Sequence, residues 1–198
     1  MKTFAAFVGI GSFFATVEEF LTVVVLKSDP GSYLFTLFIL FPVFLTFVYF
    51  SSKLLDRLLD NEPARRLAHF LAYGFIGLMF EWFVIGLSPW RNPDGSPWLM
   101  LVFQVGMFSF WATVSFAPRL FLGPRELDRR IRRSVLRFYV PYFLLVYVVG
   151  LSVPANLKFK TIIPLVIIGY TTLNAFYLRY FLAAFSRSAT RDSPECQP

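Results

Sequence analysis

Six long apolar runs constrain this chain more than any other feature of its sequence. An α-helix rises about 1.5 Å per residue, so about 20 apolar residues cross the hydrocarbon layer of a membrane. The runs are too continuous for barrel strands and lack their alternation of apolar and polar residues. They predict an all-α bundle of about six transmembrane helices, with spans at residues 4–26, 33–50, 67–87, 99–122, 138–153 and 161–185.

The composition indicates a single membrane domain. The chain has 198 residues, of which 57% are hydrophobic and 16% are charged, whereas a soluble domain carries about 25% charged residues. The polar segments between the runs are too short to form a second, soluble domain. We therefore expect one transmembrane domain over residues 1–185 and a polar cytoplasmic tail over residues 186–198.

The positions of Lys and Arg predict the direction of the helices. Basic residues that flank transmembrane helices remain preferentially on the cytoplasmic side. If the N-terminus is cytoplasmic, only four of the 19 Lys and Arg residues fall on the outer side: Lys27, Arg91, Lys158 and Lys160. This pattern predicts an even number of spans, both termini in the cytoplasm, and insertion in the inner (cytoplasmic) membrane. Because most basic residues then lie on the cytoplasmic side, we attribute the net charge of +7 to contacts with anionic membrane lipids and not to nucleic-acid binding.

The most basic connection between runs is residues 123–137. Within it Leu127, Ile131 and Val135 recur every four residues, and Arg surrounds the rest of the helix. The pattern predicts an amphipathic helix on the inner surface of the membrane, separated from the fourth run by a Gly-Pro break. We interpret it as an interfacial connector. The functional alternative is a docking segment for lipid headgroups or for a partner membrane protein.

Three acidic residues lie inside apolar runs, where ionisable side chains are costly and often functional: Glu18, Glu19 and Glu81. Counted from the outer ends of their runs, they and Gln104 lie roughly 8–12 Å below the outer edge of the hydrocarbon layer. If their helices are neighbours, the four side chains form one polar layer. Because adjacent Glu18 and Glu19 project about 100° apart, both cannot face the same point.

This layer could carry acid–base chemistry. Two carboxyl groups in a medium of low dielectric constant resist ionising together, so we expect at least one to be protonated at neutral pH. A neutral carboxylic acid facing an apolar cavity can donate its proton to a lipophilic molecule. Alternatively, the carboxyls only form hydrogen bonds that join helices. The sequence thus gives Glu18, Glu19 and Glu81 as candidate catalytic residues, and Gln104, Trp82 and Trp90 as candidate substrate-binding residues.

Other chemistries find little support in the sequence. The chain has one His, at position 69, and one Cys, at position 196 in the tail. A nucleophilic triad, a multi-histidine metal centre and an intramolecular disulfide are therefore not expected. For His69 and Asn174 we expect hydrogen bonds between helices, although an interfacial position is open for His69. We expect no metal and no cofactor.

The stretch Thr16-Val17-Glu18-Glu19-Phe20-Leu21 resembles the Pro-x-Glu-Glu/Asp signature of the integral-membrane carotenoid (lycopene) cyclases of bacteria and fungi. The resemblance covers six residues. Enzymes of that family are small, polytopic membrane proteins thought to protonate the end of a polyene. The resemblance implies that Glu18 and Glu19 act as an acid–base pair.

Three functions remain open at this point. The first is an enzyme that isomerises or cyclises a lipophilic substrate with its buried carboxyls. The second is a small transporter or channel in which the same carboxyls bind protons or cations. The third is a non-catalytic membrane subunit that docks through residues 123–137. A blind cavity lined by the carboxyls favours the enzyme, whereas a path through the bundle favours transport.

Overall fold

The chain is built from helices that run back and forth across one bundle. The computed structural model describes residues 2–86 and 96–191, and these residues contain no β-strand. Within these described ranges, six helices are long and apolar enough to cross a membrane. They are α1 (Thr3–Leu26), α2 (Pro30–Leu58), α3 (Glu62–Ile85), α4 (Pro97–Leu122), α5 (Glu126–Ser152) and α6 (Ala155–Ser186, continuing to Arg191). The prediction of an all-α bundle with six membrane-spanning helices is confirmed.

Successive helices alternate in direction, so the connections gather at two ends. The Lys27 end holds residues 27–29 and 153–154, and the Arg66 end holds residues 59–61 and 123–125. Several helices begin earlier than the apolar runs predicted, because polar residues form their first turns. The Asp29 side chain accepts a hydrogen bond from the Ser32 N–H, and the Asn61 side chain accepts one from the Ala64 N–H. Hydropathy marks the apolar part of a helix and not its cap.

Large apolar side chains cover the outside of the bundle. Phe38, Phe83 and Leu182 are 70%, 66% and 63% exposed, and similar residues occur on the other helices. A soluble monomer rarely leaves so much apolar surface uncovered. Together with the six long apolar helices, this surface identifies the chain as a multi-pass membrane protein.

The core is centred on α4, which contacts α1, α3, α5 and α6. Every residue of α4 from Ser109 to Pro118 is buried, as expected for a helix enclosed on all sides. Aromatic side chains dominate the packing, and the largest fully buried ones include Trp111, Phe116 and Tyr170.

The segment 126–137 differs from its prediction as a separate helix on the membrane surface. It is continuous with the fifth span, because α5 runs unbroken through Pro141 to Ser152. Val135 is fully buried, and Leu127 and Ile131 pack against the core. The apolar stripe therefore faces the bundle and not the lipid.

The physical reason is a buried ionic contact at the Arg66 end. Asp128, on α5, has no exposed surface. It accepts hydrogen bonds from Arg66 of α3, at 2.7 and 3.3 Å, and from the Tyr180 hydroxyl of α6, at 2.9 Å. Arg66 is held further by Glu62, whose Oε1 accepts from Nε at 2.9 Å. This contact fastens α3, α5 and α6 together.

Close approach of α3 and α4 depends on Gly77. A Cβ at this position would overlap the side chain of Trp111, whereas a Cβ at Gly9 on α1 would meet no atom within 4 Å. Trp111 packs on Phe44, with ring centroids 4.5 Å apart, and on Phe110, at 5.2 Å. Gly77 thus makes room for the central aromatic side chain of the core.

Replacing Gly77 with Ala should lower the free energy of unfolding by about 1–3 kcal/mol, because the added methyl group displaces Trp111 from a well-packed core. Gly9→Ala is the matched control and should stay within about 1 kcal/mol of the wild-type protein. Unfolding in mixed micelles, followed by tryptophan fluorescence, measures both. Equal stability of the two variants would contradict the packing described for Gly77.

Asp128→Asn should lower the free energy of unfolding by about 1–3 kcal/mol, because Arg66 would lose its fully buried counter-ion and keep only Glu62. The control is Glu126→Gln, an exposed carboxyl on the same helix, which should change stability by less than about 0.5 kcal/mol. The same unfolding experiment applies. A small effect of Asp128→Asn would show that the contact does not fasten α5 to the bundle.

Candidate functional site

Glu18, Glu19 and Glu81 line one cavity of about 340 Å³ at the Lys27 end of the bundle. α1 supplies two of the carboxyls and α3 supplies the third. Although Glu18 and Glu19 leave α1 in different directions, both line the cavity. The structure therefore brings together the three residues that the sequence proposed as catalytic.

The rest of the cavity wall is mainly apolar. Residues from α2, α4 and α6 complete it, so five of the six helices contribute. The apolar lining consists of Val23, Phe35, Leu40, Ile85, Phe103, Met107, Phe110, Ile163, Val166 and Ile167. Carboxyl groups thus face a space that suits an apolar molecule.

Three π-helical segments border this cavity. They are Phe20–Leu26 in α1, Thr36–Leu40 in α2 and Glu81–Ile85 in α3, and each supplies cavity-lining residues. A π turn inserts an extra residue into the helix, changes the direction of the side chains that follow, and often marks a functional region. Glu81 opens one such segment and Glu19 immediately precedes another, so the local backbone departs from α-helix at the carboxyls.

The Glu81 carboxyl is held by Trp111. The indole Nε1–H of Trp111 donates to Oε1 of Glu81 at 2.9 Å, and the two residues are only 1% and 8% exposed. Since an indole can only donate, this bond fixes one carboxyl oxygen and leaves the other available. Sequence reasoning missed Trp111. A buried Trp predicts a hydrogen-bond acceptor somewhere, but nothing in the sequence indicates that the acceptor is Glu81.

Two charged residues, Lys27 and Asp29, line the cavity at the end where α1 connects to α2. The Ser32 hydroxyl and backbone N–H donate to Asp29 at 2.5 and 3.0 Å. These hydrogen bonds, the one from the hydroxyl first, hold the pKa of Asp29 below its ordinary value. Asp29 is therefore a carboxylate at neutral pH, and the positive charge of Lys27 lowers its pKa in the same direction.

Tightly packed aromatic residues close the cavity toward the Arg66 end. Below Phe110 lie Phe14 and Tyr170, which have no exposed surface, and Tyr139, which is 1% exposed. The hydroxyls of Tyr139 and Tyr170 both donate to the backbone carbonyl of Phe14, at 3.0 and 2.6 Å. Over residues 3–86 and 96–186, the cavity lining runs from Lys27 and Asp29 to Glu18, Leu40 and Phe110, and these buried aromatic side chains lie beyond it toward the Arg66 end.

The predicted substrate-binding residues lie elsewhere. The Nε1–H of Trp82 donates to Oε1 of Gln104 at 2.6 Å, which joins α3 to α4, and neither residue lines the cavity. The sequence placed Gln104 at the depth of the carboxyls, but its side chain faces Trp82 and not the cavity. Trp90 lies outside the described residues.

His69 and Asn174 form the bonds between helices that the sequence predicted. Nδ2 of Asn174 donates to the Ser109 hydroxyl at 2.7 Å. Arg119 contacts Nδ1 of His69 at 3.2 Å, and Nε2 lies 3.1 Å from the Ser115 carbonyl. Since a guanidinium only donates, Nδ1 accepts and the ring proton is on Nε2. His69 lies at the Arg66 end, far from the carboxyl cavity, and joins α3 to α4.

The carboxyls share a cavity without meeting at one point. Among the residues that the structure describes, no three His, Cys, Asp or Glu side chains are close enough to hold a metal ion. What the arrangement offers chemically is a set of proton donors and acceptors around an apolar space. Comparison of the chain with protein-family models, with curated proteins and with solved structures found no match.

Proposed function

We propose that this protein is a membrane enzyme that performs acid–base chemistry, of the isomerase or cyclase type, on a lipophilic molecule. One observation carries the proposal: three carboxyls from two helices share one cavity whose wall is otherwise mainly apolar. Ionisable groups inside a membrane domain are costly, and here they line a space and are not packed away.

The simplest reaction that this geometry supports is the shift of a carbon–carbon double bond. A protonated carboxyl gives its proton to one carbon of the double bond, and the neighbouring carbon becomes cationic. A carboxylate then removes a proton from the next carbon along, and the electron pair of that C–H bond forms the new double bond. Product and substrate are isomers, so no oxidant or reductant takes part. Cyclisation differs only in that a second double bond attacks the cation before the proton leaves.

The cavity wall suits the cationic intermediate. Phe35, Phe103 and Phe110 line the cavity, and the faces of aromatic rings attract cations. We assign Trp111 as a positioning residue, because its bond to Glu81 fixes the carboxyl that faces the space.

The size of the cavity restricts the substrate. Its volume of about 340 Å³ is near the lower end of ligand pockets, which span about 300–1,000 Å³. We therefore propose that it receives a small lipophilic molecule or one end of a longer chain. The end of a polyene, as the resemblance to carotenoid cyclases implies, is one member of this class.

Transport is the second candidate, and the buried aromatic side chains toward the Arg66 end count against it. A proton or cation would have to pass Phe14, Phe110 and Tyr170, which are buried and tightly packed. A chemical step inside the cavity needs no such path, so we favour the enzyme.

The Glu→Gln variants at positions 18, 19 and 81 test the acid–base proposal. Wild-type protein, incubated in D₂O with a total lipid extract of the cells that make it, should add solvent deuterium to a lipid component, detected by mass spectrometry. Loss of the required carboxyl should slow this incorporation by about 100-fold or more. Trp111→Phe should slow it less, because Glu81 is retained but no longer fixed.

Glu126→Gln is the control for this experiment, since it removes a carboxyl far from the cavity and should leave incorporation unchanged. Each variant is compared with the wild type by elution profile and thermal stability. The proposal fails if wild-type protein incorporates no deuterium, or if the triple Gln variant incorporates it at the wild-type rate.

We further propose that both termini lie in the cytoplasm of a cell whose inner membrane holds the protein, so that the cavity opens to the outer side. The distribution of basic residues supports this orientation, since Lys53, Arg65, Arg66, Arg119 and Arg125 all lie toward the Arg66 end. Fusion of a fluorescent protein and of alkaline phosphatase to the C-terminus tests it. Fluorescence without phosphatase activity is expected, and the reverse would invert the topology.

A further inference from the structure

A second cavity, of about 370 Å³, lies at the Arg66 end between α1, α2, α3 and α4. We call it the basic cavity. It has no residue in common with the carboxyl cavity and no part in the proposed chemistry. Four cationic residues, two carboxylates and several apolar residues line it: Lys53, Arg65, Arg66, Arg119, Asp56, Glu62, Phe7, Tyr49 and Leu122.

The two carboxylates of the basic cavity are already engaged. Both oxygens of Asp56 bind Arg119, and one also lies 3.9 Å from Nε of Arg65. Glu62 binds Arg66 at 2.9 Å through Oε1 and Arg125 through Oε2. Each carboxylate therefore contacts two basic side chains, and the lining retains an excess of positive charge.

Lys53 shows this excess most clearly. Its ammonium lies 4.5 Å from the ring centroid of Tyr49 and 5.2 Å from that of Phe50. Over the described residues, no carboxylate lies within salt-bridge distance of it. Among the residues that the structure describes, the neighbouring Arg65 has only the long contact to Asp56 and one hydrogen bond, from Nη1 to the Asp56 carbonyl at 3.1 Å. These two side chains have donors left for a ligand with several acceptor oxygens.

The position of the basic cavity indicates where such a ligand comes from. It lies beside the last turns of α2, between the lipid-exposed Phe47 and Phe50, which are 50% and 57% exposed, and the polar turn at residues 59–61. This is the level at which a membrane helix passes from hydrocarbon to headgroups. Basic cavities between membrane helices at this level bind the phosphates of anionic lipids.

We propose that the basic cavity binds the phosphate of an anionic phospholipid, with Lys53 and Arg65 as the principal donors. The apolar residues Phe7, Tyr49 and Leu122 contact the glycerol and the upper acyl chains. Arg66 and Arg119 remain bound to their carboxylates and form the rigid wall of the site.

Native mass spectrometry of the detergent-solubilised protein tests the proposal, with phosphatidylglycerol, phosphatidylcholine and inorganic phosphate as probes. One phosphatidylglycerol should be retained per protein in preference to phosphatidylcholine. The double variant Lys53→Gln/Arg65→Gln should weaken this binding by about tenfold or more, as expected for the loss of two basic contacts. Millimolar inorganic phosphate should not displace the lipid, since it lacks the apolar contacts.

Arg130→Gln/Arg133→Gln is the matched control. It removes the same charge from exposed positions on α5, outside the basic cavity, and should leave the affinity unchanged. Equal weakening in this control would show general attraction to a basic surface and overturn the proposal. Equal retention of phosphatidylglycerol and phosphatidylcholine would also overturn it. Displacement of the lipid by inorganic phosphate would overturn it as well and show that the cavity binds free phosphate. Thermal unfolding without lipid verifies that both double variants are folded.

Discussion

The contact between α3 and α4 at Gly77 is the constraint on which the centre of this bundle depends. Without a side chain at Gly77, the Trp111 ring lies against the α3 backbone and reaches the Glu81 carboxyl. The same ring packs on α2 through Phe44. One small residue therefore sets the spacing of two helices, the position of the central aromatic side chain and the direction of a buried carboxyl.

The fold was largely predictable from the sequence, because hydropathy reports directly on what a membrane requires. An apolar run of membrane length has to be a helix with its backbone groups satisfied internally, and the six runs correspond to α1–α6. Hydropathy is misleading where a charged residue is buried together with a residue of opposite charge. Residues 126–137 read as a surface helix because Arg is abundant there, but Asp128 is bound by Arg66 and Tyr180 inside the bundle. A pattern of single residues does not reveal a partner 62 positions away.

The sequence predicted how deep the site residues lie in the membrane, but not the direction in which their side chains point. Counting residues from the helix ends placed Glu18, Glu19, Glu81 and Gln104 in one layer, and the three carboxyls do share a cavity. Gln104 is turned toward Trp82 instead. The direction of a side chain depends on helix rotation, and π-helical segments near Glu19 and Glu81 change that rotation locally. Periodicity at 3.6 residues per turn does not contain this information.

The two hydrogen bonds accepted by the Phe14 carbonyl determine how α1 is held in the bundle. Because it receives hydroxyl groups from both α5 and α6, the middle of α1 is anchored to two other helices. The stretch beyond this anchor holds Glu18 and Glu19, passes through the π-helical turns and ends at the Lys27 connection. That stretch is also secured at its far end, where Leu21 and Val25 are buried and the ammonium of Lys158, on α6, donates to the Val25 carbonyl at 3.5 Å. Glu18 and Glu19 therefore lie on a part of α1 that other helices hold on both sides, and this side of the cavity is fixed in position much as Trp111 fixes Glu81 on the other.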